Sequence, residues 1–139
     1  MRTTINYNGT EIKLSSKWAG TAYPWGKEYV KQHHKVLVRI GDVHTTFRHT
    51  TFNYYCNDYE LNEDGLREAF CCFLSDGIAY RNAKDIFDFA DEFGYDKYED
   101  LKRLKKAWKS CMAAYDKWTK LCDIDIYDIF DWMQEEYEL

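Results

Sequence analysis

Residues 2–15 read RTTINYNGTEIKLS, and their pattern is that of a β-hairpin. Asn8-Gly9 is the dipeptide that two-residue hairpin turns prefer, because both turn positions need positive φ angles. A turn there pairs Tyr7 with Thr10 and Ile5 with Ile12, so one face of the hairpin is mostly apolar and the other polar. This agreement between turn and side-chain alternation predicts the register.

A second hairpin is predicted over residues 33–52, which read HHKVLVRIGDVHTTFRHTTF. Its strands are His33–Ile40 and Val43–Phe52, and its turn is Gly41-Asp42. One face is again apolar. The other is cationic, and with the first hairpin it places six side chains on the outer face of a sheet: Arg2, Lys13, Lys35, Arg39, His44 and Arg48. Residues 18–31, rich in Trp, Tyr and Gly, are expected to form a connection.

Helices are predicted for the second half of the chain. They cover 63–74, 83–93, 98–122 and 124–137, from apolar residues at helical spacing. Asn62, Asn82 and either Asp123 or Asp125 are candidate N-caps, while Gly77 and Gly94 are candidate stops. Strands followed by helices predict an α+β fold: an antiparallel sheet of about four strands, with three to four helices packed on one face. We expect one domain over 1–139, with a basic β-rich part (1–56) and a helical part (57–139).

The formal net charge of −5 conceals four blocks of alternating sign. Residues 1–56 hold 8 basic and 3 acidic side chains, and residues 97–122 hold the same numbers. Residues 57–96 hold 3 basic and 11 acidic side chains, and residues 123–139 hold 7 acidic and no basic ones. Such segmentation indicates distinct charged faces, each with its own potential partner.

Composition excludes several classes of protein. The 25 aromatic residues argue against disorder, and no apolar run has the roughly 20 residues of a membrane span. The beginning of the chain lacks the apolar segment of a secretory signal. We therefore expect a protein of the cytoplasm, with no membrane partner and with its five cysteines as thiols.

No motif predicts catalysis, a cofactor or a metal. The His and Cys candidates are His33, His34, His44, His49 and Cys56, without a zinc-ligand spacing. His44 and His49 should lie on opposite faces of one strand, whereas His34 and His49 should face each other across the second hairpin. Nothing surrounds the cysteines or serines that resembles a nucleophile motif. We expect a protein that is not an enzyme.

Two surfaces are candidate binding sites. The acidic one would fill a basic nucleic-acid groove in a partner protein, since carboxylates can compete there with phosphate. Its residues are Asp88, Asp91, Glu92, Asp96, Asp125, Asp128, Asp131, Glu135 and Glu136, with Trp25, Trp132 and Tyr137 as aromatic anchors. The alternative is direct nucleic-acid binding by the basic sheet face through Lys35, Arg39, His44 and Arg48.

The segment Ile86–Asp96, with its ending Glu-Phe-Gly-Tyr-Asp at 92–96, resembles a segment of small phage and mobile-element proteins of bacteria. In those proteins an acidic, Phe-rich helix leads into a helix with an aromatic and aliphatic seam. The resemblance implies a function against host defences, as in anti-CRISPR and antirestriction proteins. The first hypothesis is therefore an inhibitor that binds a bacterial defence protein or ribonucleoprotein. The alternative is a nucleic-acid-binding accessory or regulatory protein.

Overall fold

The computed structural model describes residues 2–22, 29–54, 60–88 and 100–139, with the backbone alone at 29, 53–54, 83, 85–88 and 100–108. These residues form four strands followed by three helices. The strands are β1 (Arg2–Tyr7), β2 (Thr10–Ala22), β3 (Tyr29–Ile40) and β4 (Val43–Tyr54). The helices are α1 (Glu63–Asp88), α2 (Asp100–Leu121) and α3 (Ile126–Tyr137). The predicted α+β class is confirmed.

The strands form one antiparallel sheet in the order β1-β2-β3-β4. Both predicted registers are confirmed: Ile5 lies opposite Ile12, and Val36 lies opposite Phe47. Asn8 and Gly9 have φ angles of 48° and 84°, as the turn between β1 and β2 requires. The hairpins therefore form where local turn chemistry and side-chain alternation agree.

The prediction of a connection over residues 18–31 is wrong at both ends. β2 continues to Ala22, and β3 begins at Tyr29. The strand passes an irregularity between Trp18 and Gly20, where the φ of Gly20 is +131°. A glycine adopts this conformation without a Cβ clash, so the pairing resumes beyond the bulge.

Backbone contacts divide the chain into two compact units, Met1–Phe70 and Cys71–Leu139, and α1 runs through the boundary. That both belong to one domain stays a prediction. In the first unit the buried apolar side chains come mainly from one face of the sheet and from the beginning of α1. They include Ile5, Ile12, Leu14, Val36, Val38, Phe47, Leu66 and Phe70.

In the first unit, α1 begins as predicted. The Asn62 side chain accepts a hydrogen bond of 2.8 Å from the backbone N–H of Gly65, which confirms the N-cap. In the second unit Asp125 caps α3 by accepting hydrogen bonds from Tyr127 N and Asp128 N. The predicted inward residues of α3, namely Ile126, Ile129 and Met133, are buried.

The predicted break in α1 at Gly77 is wrong, because α1 continues to Asp88. A Cβ at Gly77 would lie 2.6 Å from Ile126 Cδ1 and 3.4 Å from Tyr115 Cα. The glycine therefore permits close approach of α2 and α3 instead of ending the helix. Asn82 is not an N-cap either: it lies within α1, and its side-chain oxygen accepts a hydrogen bond of 2.8 Å from the Tyr127 hydroxyl.

Candidate functional site

One face of the sheet displays basic side chains from all four strands. Because successive side chains of a strand lie on opposite faces of the sheet, the apolar residues lie on the buried face and the basic residues lie on the opposite face. Among the described residues seven basic side chains lie on this face, all exposed except the half-buried Lys31. We refer to them as the cationic sheet face: Arg2, Lys13, Lys17, Lys31, Lys35, Arg39 and Arg48.

The basic residues are aligned in rows across neighbouring strands. Lys17, Lys35 and Arg48 lie opposite one another on β2, β3 and β4. Lys13, Arg39 and His44 form a second row on the same strands. Members of a row are about 5 Å apart, and the rows are separated by four residues, or ~13 Å. The predicted residues Lys35, Arg39, His44 and Arg48 are thus brought together, and Lys13 and Lys17 extend their rows.

This alignment is unfavourable for the folded chain by itself. Like charges directly opposite each other on adjacent strands destabilise a sheet. Within the described parts of the chain, none of the seven basic groups forms an ion pair. Glu11, two residues before Lys13 on β2, and Asp42, in the turn between β3 and β4, are carboxylates at the end of the sheet that holds the two tight turns. Among the described residues, no ion pair therefore offsets the repulsion within the rows.

Replacing Lys35 by glutamate is expected to stabilise the protein, because the new carboxylate would face Lys17 and Arg48 across two strand pairs. Each opposite-charge pair contributes roughly 0.2–1 kcal/mol, so Lys35→Glu should raise the free energy of unfolding by about 1 kcal/mol. Urea unfolding followed by circular dichroism measures the change. Lys109→Glu, at an exposed position of α2, is the matched control. Equal or lower stability of Lys35→Glu would show that the row repels too weakly to matter.

An aromatic side chain lies at the opposite end of the face from the tight turns. Phe52 is 46% exposed, and the Lys31 ammonium lies 5.3 Å from its ring centroid across the strand pair. His33, beside Lys31, shares a 2.9 Å hydrogen bond with the Thr50 hydroxyl. Desolvation lowers the pKa of His33, and the charges of Arg48 and Lys31 lower it further. The ring is therefore flanked by positive charge and a neutral imidazole.

Sequence reasoning missed Lys17, Lys31 and Phe52 as parts of this face. Lys31 falls in the segment predicted to be a connection, Lys17 directly precedes that segment, and Phe52 ends the predicted strand. The sequence does contain a signal for the longer β3, because Lys31, His33 and Lys35 continue the alternation of this strand toward its beginning.

A shallow depression of about 320 Å³ lies on the cationic sheet face at the end away from Phe52, where β1, β2 and β3 are neighbours. Arg2, Lys13 and Arg39 surround it, and Ser15 and Leu37 form part of its floor. The depression is a concave surface of polar and apolar side chains, and it lies between three basic side chains. A phosphate or sugar group has the polarity that such a surface favours.

The opposite, buried face of the sheet contains a polar cluster. His34 and His49 face each other across β3 and β4, as predicted, and His34 Nε2 lies 3.3 Å from the Thr51 hydroxyl. The Gln32 side-chain oxygen accepts hydrogen bonds of 2.7 Å from both Trp18 Nε1 and Thr21 Oγ1. The described residues contain no group of three His, Cys, Asp or Glu side chains that could hold a metal ion.

Burial lowers the pKa of His34 to about 4 and also lowers the pKa of His49. The neighbouring His49 and His33 lower the pKa of His34 further, while Glu60 raises it. Glu68, on α1, raises the pKa of His49, so the beginning of α1 lies near this face. Both imidazoles are neutral at pH 7, which suits a structural polar cluster.

Acid should destabilise the protein through His34. Its folded-state pKa of about 4 lies below the unfolded value of 6.5, so below pH 6.5 the unfolded chain takes up protons first. The free energy of unfolding should fall by about 2–3 kcal/mol between about pH 7 and pH 4.5 from this group. Urea unfolding of the wild type and His34→Leu at several pH values measures it. A wild-type pH dependence no steeper than that of the variant would contradict the assignment.

None of the described cysteines forms a disulfide: Cys71 is buried, Cys72 is exposed, and Cys111 and Cys122 are half-buried. Burial raises the pKa of the Cys111 thiol, and the Asp76 carboxylate raises it further. Burial likewise raises the pKa of Cys122. Raised pKa values keep these two thiols protonated and poorly nucleophilic. Cys56 lies outside the described residues.

The acidic candidate surface is described only on α3 and its cap. Asp128, Asp131 and Glu135 are exposed at a helical spacing of three and four, so they line one side of α3. Glu136 is also exposed, while Asp125 is engaged as the N-cap. None of the described acidic groups on α3 forms an ion pair. Trp25, Asp91, Glu92 and Asp96 lie outside the described residues, as does the side chain of Asp88.

The two described aromatic candidates contact each other on α3. The rings of Trp132 and Tyr137 meet edge-to-face, with centroids 5.8 Å apart, and both side chains are half-buried. Their accessible parts lie on the same short helix as the acidic stripe. The described acidic and aromatic candidates of this surface therefore share one helix.

Comparison with family models, curated proteins and solved structures found no match to this chain. None of the described helices combines the length and apolar character needed to cross a membrane.

Proposed function

We propose that this protein binds nucleic acid through the cationic sheet face and acts by binding instead of catalysis. The observation that supports the proposal is the row Lys17–Lys35–Arg48, in which three basic residues lie opposite one another on adjacent strands. Such a row costs stability in the free protein. Bound phosphates would offset the repulsion, and their counter-ions would be released.

A polymer fits this face better than a single small anion. The basic side chains extend over two rows about 13 Å apart and across three strands, ~10 Å in width. No single phosphate can reach all of them. A backbone that repeats its charge at short intervals can contact several at once, and each contact adds to affinity and to its salt dependence.

The test is a binding titration with labelled generic oligonucleotides of about 15 nucleotides, near the upper site size of single-strand binding domains. Binding should be clear at about 50 mM salt and should weaken by a factor of ten or more at about 200 mM. Absence of binding at low salt would remove the proposal, since non-specific phosphate contacts are strongest there. A complex that is insensitive to salt would also contradict it.

As a second candidate we propose the function that the sequence placed first: inhibition of a bacterial defence nuclease by stoichiometric binding. The observation in its favour is the stripe Asp128, Asp131 and Glu135, exposed beside the Trp132–Tyr137 pair. Aromatic side chains surrounded by polar groups are frequent anchors in protein interfaces. This surface ranks second because Asp125 is committed to capping α3 and the α3 stripe holds three carboxylates, whereas the cationic sheet face holds seven basic groups.

The second candidate has a separate test in cells. The protein would be produced in bacteria that carry a CRISPR or restriction system, and plasmid transformation would be compared with strains lacking the system. Protection confined to the defended strain, and lost in a variant with Asp128, Asp131 and Glu135 changed to lysine, would support inhibition. Unchanged protection in that variant would exclude the α3 stripe. A position in the bacterial cytoplasm stays a prediction of the same hypothesis.

A further inference from the structure

We infer that the depression on the cationic sheet face binds the terminal phosphate of a nucleic-acid strand. This inference rests on the proposed function and goes beyond it by naming the group that this part of the face recognises, a phosphomonoester. The juxtaposition that carries it is a concave surface of about 320 Å³ with Arg2, Lys13 and Arg39 around it.

The three basic residues around the depression come from three neighbouring strands. Lys13 on β2 lies opposite Arg39 on β3, so their Cβ atoms are about 5 Å apart. Arg2 on β1 lies opposite Ser15, so Arg2 is the diagonal neighbour of Lys13 at roughly 7–8 Å. All three basic side chains are exposed, and their long stems let the charged ends reach one group that lies between them.

The charge of the depression is not balanced by the described residues that line it. These residues include three basic side chains and no acidic one. Glu11 lies two residues from Lys13 on the same face of β2, but it does not line the depression. Within the described residues, none of the three basic groups forms an ion pair. A bound anion would therefore offset the repulsion between Lys13 and Arg39.

The floor of the depression suits a phosphate that is attached to a sugar. Ser15 and Leu37 lie opposite each other on β2 and β3, and both are half-buried. The hydroxyls of Ser15 and of the exposed Thr4 are donors that phosphate oxygens accept, and Leu37 offers an apolar contact to a sugar ring. The volume is near the lower limit of small-ligand sites, about 300 Å³, so it suits one nucleotide end instead of a length of polymer.

A terminal phosphate matches three cations better than an internal phosphate does. A phosphomonoester carries a charge of about −1.5 to −2 at pH 7 and three strong acceptor oxygens. A phosphodiester within a strand carries a single negative charge. The guanidinium groups of Arg2 and Arg39 each present several N–H donors in a planar fork, which suits a group with several charged oxygens. The monoester would therefore offset more of the repulsion at this site.

The position of the depression suits the end of a strand. β1 forms one edge of the four-stranded sheet, and the depression lies beside that edge. The row Lys17–Lys35–Arg48 lies on β2, β3 and β4, and none of its members lines the depression. The row is separated from the depression by two to four residues along the strands, or about 7–13 Å. A strand whose internal phosphates contact the row could therefore place its last phosphate in the depression.

The experiment compares four oligothymidylates of about 15 nucleotides that carry a label on an internal base. One has hydroxyls at both ends, one has a 5′-phosphate and one has a 3′-phosphate. The fourth carries a methyl diester of whichever phosphate binds more tightly. At about 50 mM salt the wild type should bind at least one phosphomonoester about tenfold more tightly than the hydroxyl-ended strand. The methyl diester has a single charge at its end and should lose most of this preference.

Arg39→Gln tests the depression, and Arg48→Gln is the matched control. Both arginines are exposed on the cationic sheet face, but only Arg39 lines the depression. Arg39→Gln should reduce the preference for the phosphomonoester to less than about twofold, and Arg2→Gln should act in the same direction. Arg48→Gln should weaken binding of all four oligonucleotides by a similar factor and should leave the preference unchanged. Circular dichroism confirms that each variant is folded.

The outcomes separate the inference from the proposed function. Equal affinity of the wild type for phosphorylated and hydroxyl-ended strands would overturn the inference, while salt-sensitive binding of both would still support the proposed function. Equal loss of the preference in Arg39→Gln and Arg48→Gln would also overturn it, because the whole face would then recognise the end. Failure of the wild type to bind any oligonucleotide would overturn both.

A competitor distinguishes the end of a strand from a free nucleotide, since both carry a phosphomonoester. Thymidine monophosphate with its phosphate on the matching carbon would be added to the complex of the preferred oligonucleotide. A large excess should be needed for displacement, because the mononucleotide makes no contact with the row Lys17–Lys35–Arg48. Displacement at a concentration equal to that of the oligonucleotide would show that the depression takes a free nucleotide, and the inference would be wrong.

Discussion

Changing Lys35 and Arg48 together to glutamate is expected to lower affinity for a single-stranded oligonucleotide by about 100-fold at low salt. These two residues lie opposite each other on β3 and β4, and both are exposed. The double variant removes two phosphate contacts and adds two repulsive charges in the centre of the face. The slope of log affinity against log salt should become shallower by about 1.4, at ~0.7 for each lost contact.

The control for this variant has the same change in net charge. Lys109 and Lys120 are exposed on α2 and do not belong to the cationic sheet face, so changing both to glutamate should weaken binding by less than about threefold. Equal losses in the two double variants would mean that net charge, and not the cationic sheet face, governs binding. Lys35→Glu alone should weaken binding of the oligonucleotide and raise the free energy of unfolding. If the role of Lys35 were purely structural, its replacement would not weaken binding while it stabilised the fold.

Trp118→Ala is expected to have the largest effect on stability. Trp118, on α2, is 1% exposed, and its Nε1 donates a hydrogen bond of 2.9 Å to the carbonyl oxygen of Ile124. Truncation of a buried tryptophan costs about 3–5 kcal/mol, and the Ile124 carbonyl would lose its donor. Since whole domains are stable by about 5–15 kcal/mol, this loss should unfold much of Cys71–Leu139 under mild conditions.

Urea unfolding measured by circular dichroism tests this expectation. Trp132→Ala is the matched control, because Trp132 is half-buried on α3, and it should cost about 1–2 kcal/mol. A cost below about 1 kcal/mol for Trp118→Ala would contradict the burial of this side chain in the helical core. Trp118→Phe keeps most of the apolar volume, so its cost in free energy of unfolding should lie between the costs of Trp132→Ala and Trp118→Ala.

The two hairpins could be predicted because short-range signals were sufficient. Asn8-Gly9 and Gly41-Asp42 set the turns, and alternation then determined every pair up to Ser15 and from His33 onward. The extension of β2 and β3 past Gly20 could not be predicted in this way. A bulge shifts the register there, and the pairing beyond it is supported by contacts between Trp18, Thr21 and Gln32 that are distant in sequence.

The continuity of α1 was missed for a related reason. A glycine after an aspartate is a reasonable helix stop when only local preference is considered. Gly77 instead lies where Tyr115 and Ile126 approach the helix, and that requirement belongs to the tertiary structure. Sequence reasoning likewise placed Lys35, Arg39, His44 and Arg48 on one face. It missed Lys17, Lys31 and Phe52, because they lie at or beyond the predicted strand ends.

The most direct test of the central proposal maps where an oligonucleotide contacts the protein. Lysine side chains would be acetylated with a limiting reagent, with and without saturating oligothymidylate, and the modification at each position would be measured by mass spectrometry. We predict protection of Lys13, Lys17 and Lys35 on the sheet, with Lys109 and Lys120 on α2 unchanged. Protection of Lys109 and Lys120, with Lys13, Lys17 and Lys35 as reactive as in the free protein, would contradict the proposal that the cationic sheet face binds nucleic acid.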